Sequence, residues 1–329
     1  MMIINNDGQL IPSLITDMGG LVMRSDFYFD SCGAGKIHCC KWTPDGEIKA
    51  VVQIVHGIAE YIERYDGFAE FLNQHGIAVV AEDHMGHGKS VNHGGTQGYF
   101  DGGWDAVIQD TVQLTKQTRE EYADIPYFLF GHSMGSFISR TILCRYPDLD
   151  LAGCIICGTG WMPDAVVKTG YLTAKAFCAR LGEKVPSKKL ESMLFAGFNK
   201  RVEHKRTSVD WLTRDASVVD AYIEHPMCGF TPCCGLLRDM LGGVIYNQKT
   251  VNLEKMNRKL PILFVAGGDD PVGNYGKGVK IAAQKFRSVG MRDVTCRLFP
   301  LCRHEILNEL NRNEVYEFVY HWMCKHMNI

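Results

Sequence analysis

Gly131-His132-Ser133-Met134-Gly135 places one hydroxyl between two glycines, where the apolar run 127–130 gives way to a helical pattern. Glycine costs conformational entropy and adds no packing, so two of them flanking a serine imply a turn with no room for side chains on either side. A strand-to-helix turn of the form G-x-S-x-G holds its serine in a strained, outward position suited to a nucleophile. The plain alternative is a βα turn whose serine only caps the next helix.

A serine hydroxyl attacks poorly until a base takes its proton, and that base needs a carboxylate to fix its tautomer and balance its cation. The downstream sequence supplies both, acid before histidine. "PILFVAGGDDPVG" sets Asp269 and Asp270 directly after a strand-like run, and "RLFPLCRHEILNE" sets His304 between the last strand and the last helix. Each has a bland reading alone, the aspartates as a helix cap and His304 as a bonded loop residue. All three at strand ends, in this order, point to acyl transfer by a serine nucleophile. The oxyanion of such a reaction needs backbone donors. Met134 N–H, next to the nucleophile, is one candidate, and Ile58 N–H in "QIVHGIAE" is the other, with Gly57 allowing close approach.

The elements that must carry these residues alternate in type. Ala50–Val55 reads as a strand, "YDGFAEFLNQHG" as an amphipathic helix with Gly76 at its C′ position, and Ile77–Glu82 as the next strand, a βαβ unit. Helix 104–122, strand 127–130, helix Met134–Arg145 and strand 151–157 follow. Strands 261–266 and Val294–Phe299 flank a helix at 275–289, and the last helix covers 314–326. Repeated βα units with nearly continuous apolar strands predict a mostly parallel central sheet flanked by helices on both faces, an α/β class. Residues 158–259 break this rhythm with helical and irregular patterns but no clear strand. The expected division is therefore a core from 1–157 and 260–329 and an inserted helical cap, or lid, at 158–259.

Composition narrows the partners. With 329 residues, 46% hydrophobic and 22% charged, the chain has enough apolar material for a large buried core. Lys plus Arg number 35 against 37 Asp plus Glu, so a net charge of -2 offers no basic field for nucleic acid. The 13 cysteines are odd in number and scattered, and Met1–Asn6 lacks a cationic n-region, which favours reduced thiols and a cytoplasmic location. Cys154 and Cys157 form a C-x-x-C inside an apolar run with no second pair at zinc spacing, so buried small hydrophobes are the expectation and no metal is implied.

Five motifs then bear on family: "VHGIAEYIERY", "DHMGHGKS", "GHSMG", "GGDDPV" and "RHE". With them the chain resembles, from about residue 51 to 322, the monoglyceride lipase and lysophospholipase branch of the α/β-hydrolases, also grouped with serine aminopeptidases. The resemblance implies an α/β-hydrolase fold with a cap, and a serine hydrolase acting on esters of acyl chains without a cofactor. It matches Ser133 to the nucleophile, His304 to the general base, and Asp270 rather than Asp269 to the triad acid, by the spacing G-x-x-D from Gly267. The amides of Ile58 and Met134 match the oxyanion hole. His84 and His87 of "DHMGHGKS", which have the spacing of a metal half-site, match a structural loop. One departure is Leu301, where the family usually carries glycine; it bears on the turn before His304.

Cap residues set the substrate in such an enzyme, and here the apolar ones include Trp161, Phe195 and Phe198, candidates for substrate contact. An apolar cap face could also make transient contact with lipid aggregates, the alternative being simple packing of the cap on the core. Lys188, Lys189, Lys200, Arg201, Lys205 and Arg206 make the cap locally basic, a solvated face or one that favours anionic head groups. The expected reaction is hydrolysis of a small-molecule acyl ester, of monoacylglycerol or lysophospholipid type, through an acyl-enzyme. An aminopeptidase or amidase with the same triad would aim acids such as Glu191, Glu203 or Glu224 at a substrate ammonium, and a non-catalytic ligand-binding protein of the same fold is the third reading.

Overall fold

The structure is a computed structural model that describes residues 3–4, 10–11, 23–195 and 197–327. In chain order, β1 (Ile3–Ile4) and β2 (Leu10–Ile11) pair antiparallel, and β3 (Met23–Asp30), β4 (Lys36–Thr43) and β5 (Ala50–Val55) precede α1 (Asp66–Gln74). Then come β6 (Ile77–Glu82), α2 (Gly103–Glu121), β7 (Tyr127–His132), α3 (Met134–Arg145) and β8 (Gly153–Cys157). Residues 158–259 contribute α4 (Asp164–Leu181), α5 (Lys188–Phe195), α6 (Ala216–Glu224), α7 (Cys234–Asn247) and the short α8 (Thr250–Leu253). The chain closes with β9 (Ile262–Gly267), α9 (Lys277–Ser288), β10 (Val294–Phe299) and α10 (Arg312–Cys324).

Eight strands form one sheet in the order β10-β9-β8-β7-β5-β6-β4-β3, parallel from β10 to β6, with β4 antiparallel to β6 and β3 antiparallel to β4. The parallel part follows from the run of βα units seen in the sequence. The β3–β4 hairpin was not expected, because "KIHCCKWT" mixes His38 and Lys41 among apolar residues, and its burial depends on a partner for His38. That partner is Asp83, whose Oδ2 lies 2.7 Å from His38 Nδ1.

Strand side chains alternate between two cores, as period-two geometry demands. Val52, Ile54, Phe128 and Phe130 join Phe68 and Leu72 of α1 and Val315 and Val319 of α10. Val51, Val55, Leu129 and Ile156 join Ile108 and Val112 of α2 and Ile138 and Ile142 of α3. Such side chains contribute roughly 1.5–3 kcal/mol each when fully buried. Gly76 has a φ of 78°, the left-handed backbone that ends α1. β7 runs to His132, two residues past the apolar run, because Gly131 and His132 still pair, with Val55 and Cys157 respectively. Among the described residues of the cap no strand forms beyond an isolated bridge between Pro186 and Cys233, and no helix of the described residues is long and apolar enough to cross a membrane.

One polar side chain sits in the central strand. Gln53 is fully buried, donates through Nε2 to Thr111 O at 3.0 Å, and accepts at Oε1 from the hydroxyls of Thr115 and Tyr127, both at 2.7 Å. Removing one partner of a buried hydrogen bond strands the other. Gln53→Leu is therefore expected to cost about 1–3 kcal/mol in urea denaturation. Adding Tyr127→Phe should recover part of that loss; if it deepens the loss instead, the bond from Tyr127 does not operate as described.

Candidate active site

The ends of β5, β7, β8, β9 and β10 lie side by side, and every residue singled out for chemistry follows one of them. Ser133 immediately follows β7 with φ 54° and ψ −118°, a backbone state that is costly for any residue with a Cβ. It is fixed from both sides: its N–H donates to Cys157 O at 3.0 Å, and its carbonyl accepts from the N–H and hydroxyl of Ser136 at 2.9 and 2.6 Å. The flanking glycines are sterically required. A methyl on Gly135 would lie 1.9 Å from Val55 O, and one on Gly131 would lie 2.3 Å from Ser139 Oγ. Ser133 is half-buried while its neighbours His132 and Met134 are buried, so the turn presents the serine outward.

Asp270 and His304 meet. Asp270 Oδ1 lies 3.0 Å from His304 Nδ1 and accepts from Val272 N–H at 2.8 Å. Asp270 is fully buried and Asp269 is exposed, which selects between the two aspartates. A carboxylate at Nδ1 holds the proton there and leaves Nε2 able to accept one. His304 Nε2 is buried and makes no hydrogen bond among the described residues. The His304 ring stands 4.9 Å from that of His132, the residue before Ser133, and its Cε1 lies 3.1 Å from where a Cβ on Gly158 would be.

The turn after β5 backs onto the serine: a Cβ on Gly57 would lie 3.1 Å from Ser133 Cβ. Met134 opens α3, so its N–H belongs to the unpaired first turn of a helix, at the positive end of its dipole. Ile58 follows Gly57, and the turn is held by Glu60. Glu60 Oε1 accepts from Gly57 N–H at 2.6 Å and Tyr65 OH at 3.0 Å and lies 3.1 Å from His132 Nδ1, while Arg64 donates to Oε2 at 2.8 Å. Arg64 also forks onto Glu305, at 2.7 and 2.6 Å. Burial alone would raise the Glu60 carboxyl, but the bond to His132 and the charges of Arg64 and His132 hold it far below the ordinary glutamate range. Burial likewise works to lower His132, and the contact with Glu60 overcomes it and raises that imidazole.

Sequence reasoning quoted Glu60, Arg64 and Glu305 within motifs and gave them no role; the signal was their spacing in "HGIAEYIERY" and "RHE". It missed Trp211 entirely. That ring lies 5.0 Å from the ring of His304, and Trp211 O accepts from His304 N–H at 3.3 Å. Phe198 packs on Trp211 at 4.9 Å and Phe195 on Phe198 at 5.5 Å, so an aromatic ladder runs from the cap to His304. Trp161 is held elsewhere, between Arg140 and Lys285, whose cationic groups lie 5.5 and 5.9 Å from its ring. His84 and His87 pack around His56, with ring separations of 4.1 and 5.2 Å from His56, and burial keeps His56 neutral and pushes His87 down to about 3. Cys154 and Cys157 are fully buried in β8. Of the acidic cap residues, Glu203 and Glu224 are exposed. Arg201, one of the cap cations, stacks 3.5 Å above Tyr275.

The chain is also similar to known proteins in sequence and in fold. The sequence pattern of a family described as serine aminopeptidase, S33, matches residues 46–311. A monoacylglycerol lipase of Mycolicibacterium smegmatis is 27% identical over 310 residues, covering 92% of this chain and 98% of its own. A monoglyceride lipase of Mus musculus is 26% identical, covering 87% of this chain and 86% of its own. Among solved structures, a thermostable carboxyl esterase of Bacillus coagulans in complex with glycerol superposes with a TM-score of 0.86 at 29% identity, over 94% of this chain and 100% of the other.

Leu301 explains how the His304 loop tolerates its departure from glycine. Its φ is 62°, the left-handed backbone a glycine would take freely, and its side chain is 65% exposed, so the cost is backbone strain without a clash. Leu301→Gly is expected to stabilise the protein by about 0.5–1 kcal/mol, the relieved strain outweighing the added entropy of the unfolded chain. A lowered melting temperature in calorimetry would contradict this.

Proposed function

Because this chain belongs to the serine aminopeptidase S33 family of α/β-hydrolases, we propose that it cleaves carboxylic esters of acyl chains, of monoacylglycerol or lysophospholipid type, through an acyl-enzyme on Ser133. The observation that carries this is the buried Asp270–His304 pair, whose imidazole lies 4.9 Å from the ring of His132, the residue before a serine in a strained strand-to-helix turn. The chain is a carboxylic-ester hydrolase, in keeping with relatives named as monoacylglycerol and monoglyceride lipases and a structural neighbour named as a carboxyl esterase. In this reading the functional division is a catalytic core, 1–157 and 260–329, and a substrate-admitting cap at 158–259.

His304 Nε2 takes the Ser133 proton as Oγ attacks the ester carbonyl, and Asp270 holds the ring and stabilises the imidazolium. The amides of Ile58 and Met134 receive the oxyanion, each such donor worth about 2.7–4 kcal/mol. His304 then returns the proton to the leaving alcohol, and water repeats the cycle to release the acid. The leaving group departs beside His304 and so passes the Trp211–Phe198 wall, which suits an alcohol with an apolar edge. A groove of about 460 Å³ between α4 and α5, lined in part by Val166, Met193 and Leu194, is the apolar cap surface available to lipid aggregates.

Labelling by a fluorophosphonate probe tests the nucleophile. The parent should be labelled, Ser133→Ala should not, and His304→Ala should lose roughly 10⁴-fold or more in kcat. Turnover of acyl esters well above aminoacyl amides is expected; preference for the amides would replace the lipase reading with the peptidase one.

A further inference from the structure

The turn that carries Ile58 is held by the cap as well as by the core. Ala59 is buried with a φ of 55°, left-handed backbone that a residue with a Cβ disfavours. Its carbonyl accepts two hydrogen bonds, and both donors come from the cap: Tyr222 OH on α6 at 3.0 Å, and Gly229 N–H at 2.9 Å. Tyr222 is itself buried, and Arg64 lies 4.9 Å from the centre of its ring. From the other side Glu60 grips Gly57 N–H. The single residue between Gly57 and Ala59 is Ile58. Its amide direction is therefore set by one anchor in the core and one in the cap.

The same cap segment is sewn to the loop of the general base. Arg303 donates to Asp210 O and Thr213 O at 2.6 and 2.9 Å, and Glu305 N–H donates to Leu212 O at 2.7 Å. The stretch from Asp210 to Gly229 thus spans both halves of the site.

We propose that Tyr222 is a positioning residue: its hydroxyl holds Ala59 in the left-handed turn, keeps the Ile58 amide aimed over Ser133, and makes the oxyanion hole depend on the seating of α6. This rests on the ester-hydrolase reading above. The interaction acts on the charge that develops in the transition state, so its loss should fall on kcat rather than KM.

The test is Tyr222→Phe, which deletes one oxygen and keeps the ring against Arg64. With p-nitrophenyl butyrate, kcat should fall about 5–30-fold with KM within about twofold, and Ser133 phosphonylation by a fluorophosphonate should slow in parallel. Ala59→Gly enters the left-handed region without strain, so in that background the Tyr222→Phe loss should shrink to about twofold or less. Arg206→Ala breaks the exposed Arg206–Asp220 pair on the outer side of α6 and controls for general loosening of the cap; it should keep parental kcat. An ester-active, labelled parent whose Tyr222→Phe form keeps parental kcat overturns the inference alone. So does a Tyr222→Phe loss of equal size with and without Ala59→Gly, or the same loss in Arg206→Ala. A parent that neither turns over esters nor takes the label overturns the hydrolase reading and the inference together.

Discussion

A carboxylate buried away from water must be paired and hydrogen-bonded or it unfolds its surroundings, and Glu60 meets that demand by drawing the site together around it. Its four partners, Gly57 N–H, Tyr65 OH, His132 and Arg64, come from the turn after β5, the segment leading into α1 and the end of β7. Arg64 then carries the demand to Glu305, the residue after His304. Three loops that are distant in the chain are thus fixed relative to one another by one charge cluster. A hydrophobic contact could not do this, because it lacks direction.

Around this cluster, three turns hold backbone that the relaxed chain would not adopt. Ser133, Ala59 and Leu301 all take left-handed φ without being glycine. Each is over-determined by its surroundings: Ser133 by Cys157 and Ser136, Ala59 by two donors from the cap, and Leu301 by the turn that returns β10 toward His304. The neighbouring glycines at 131 and 135 serve a different purpose, since Gly135 admits α3 to contact with the end of β5 and Gly131 admits it to the end of β7. Strained residues and permissive ones divide the work of one elbow.

The cap has two characters. Its α4–α5 portion presents exposed apolar residues such as Val166 and Met193 around an open groove. Its 210–229 portion is hydrogen-bonded along the His304 loop and the turn after β5 and covers His304 with Trp211. On the proposed reading, substrate admission falls to the first stretch of the insertion and alignment of Ser133, His304 and the Ile58 amide to the second.

Whatever depends on neighbours along the chain was legible in the order of residues. Strand and helix alternation followed from hydrophobic period, and the elbow at Ser133 followed from two glycines whose close contacts permit no other residue. The order of serine, acid and histidine at strand ends was legible for the same reason, since a parallel sheet delivers all its C-terminal strand ends to one edge. Choosing Asp270 over Asp269 needed a spacing borrowed from the family resemblance, and burial in the structure separates the two. Features that rest on contacts between distant segments emerge with the folded chain: the β3–β4 hairpin seated by His38 and Asp83, the Glu60–Arg64–Glu305 cluster as a single unit, Trp211 over His304, Tyr222 on Ala59, and the separation of Trp161 from the Phe195–Phe198 pair. Residues in irregular segments carry no period, so their partners are set by how the insertion folds back over the sheet edge, and no local rule of spacing encodes that.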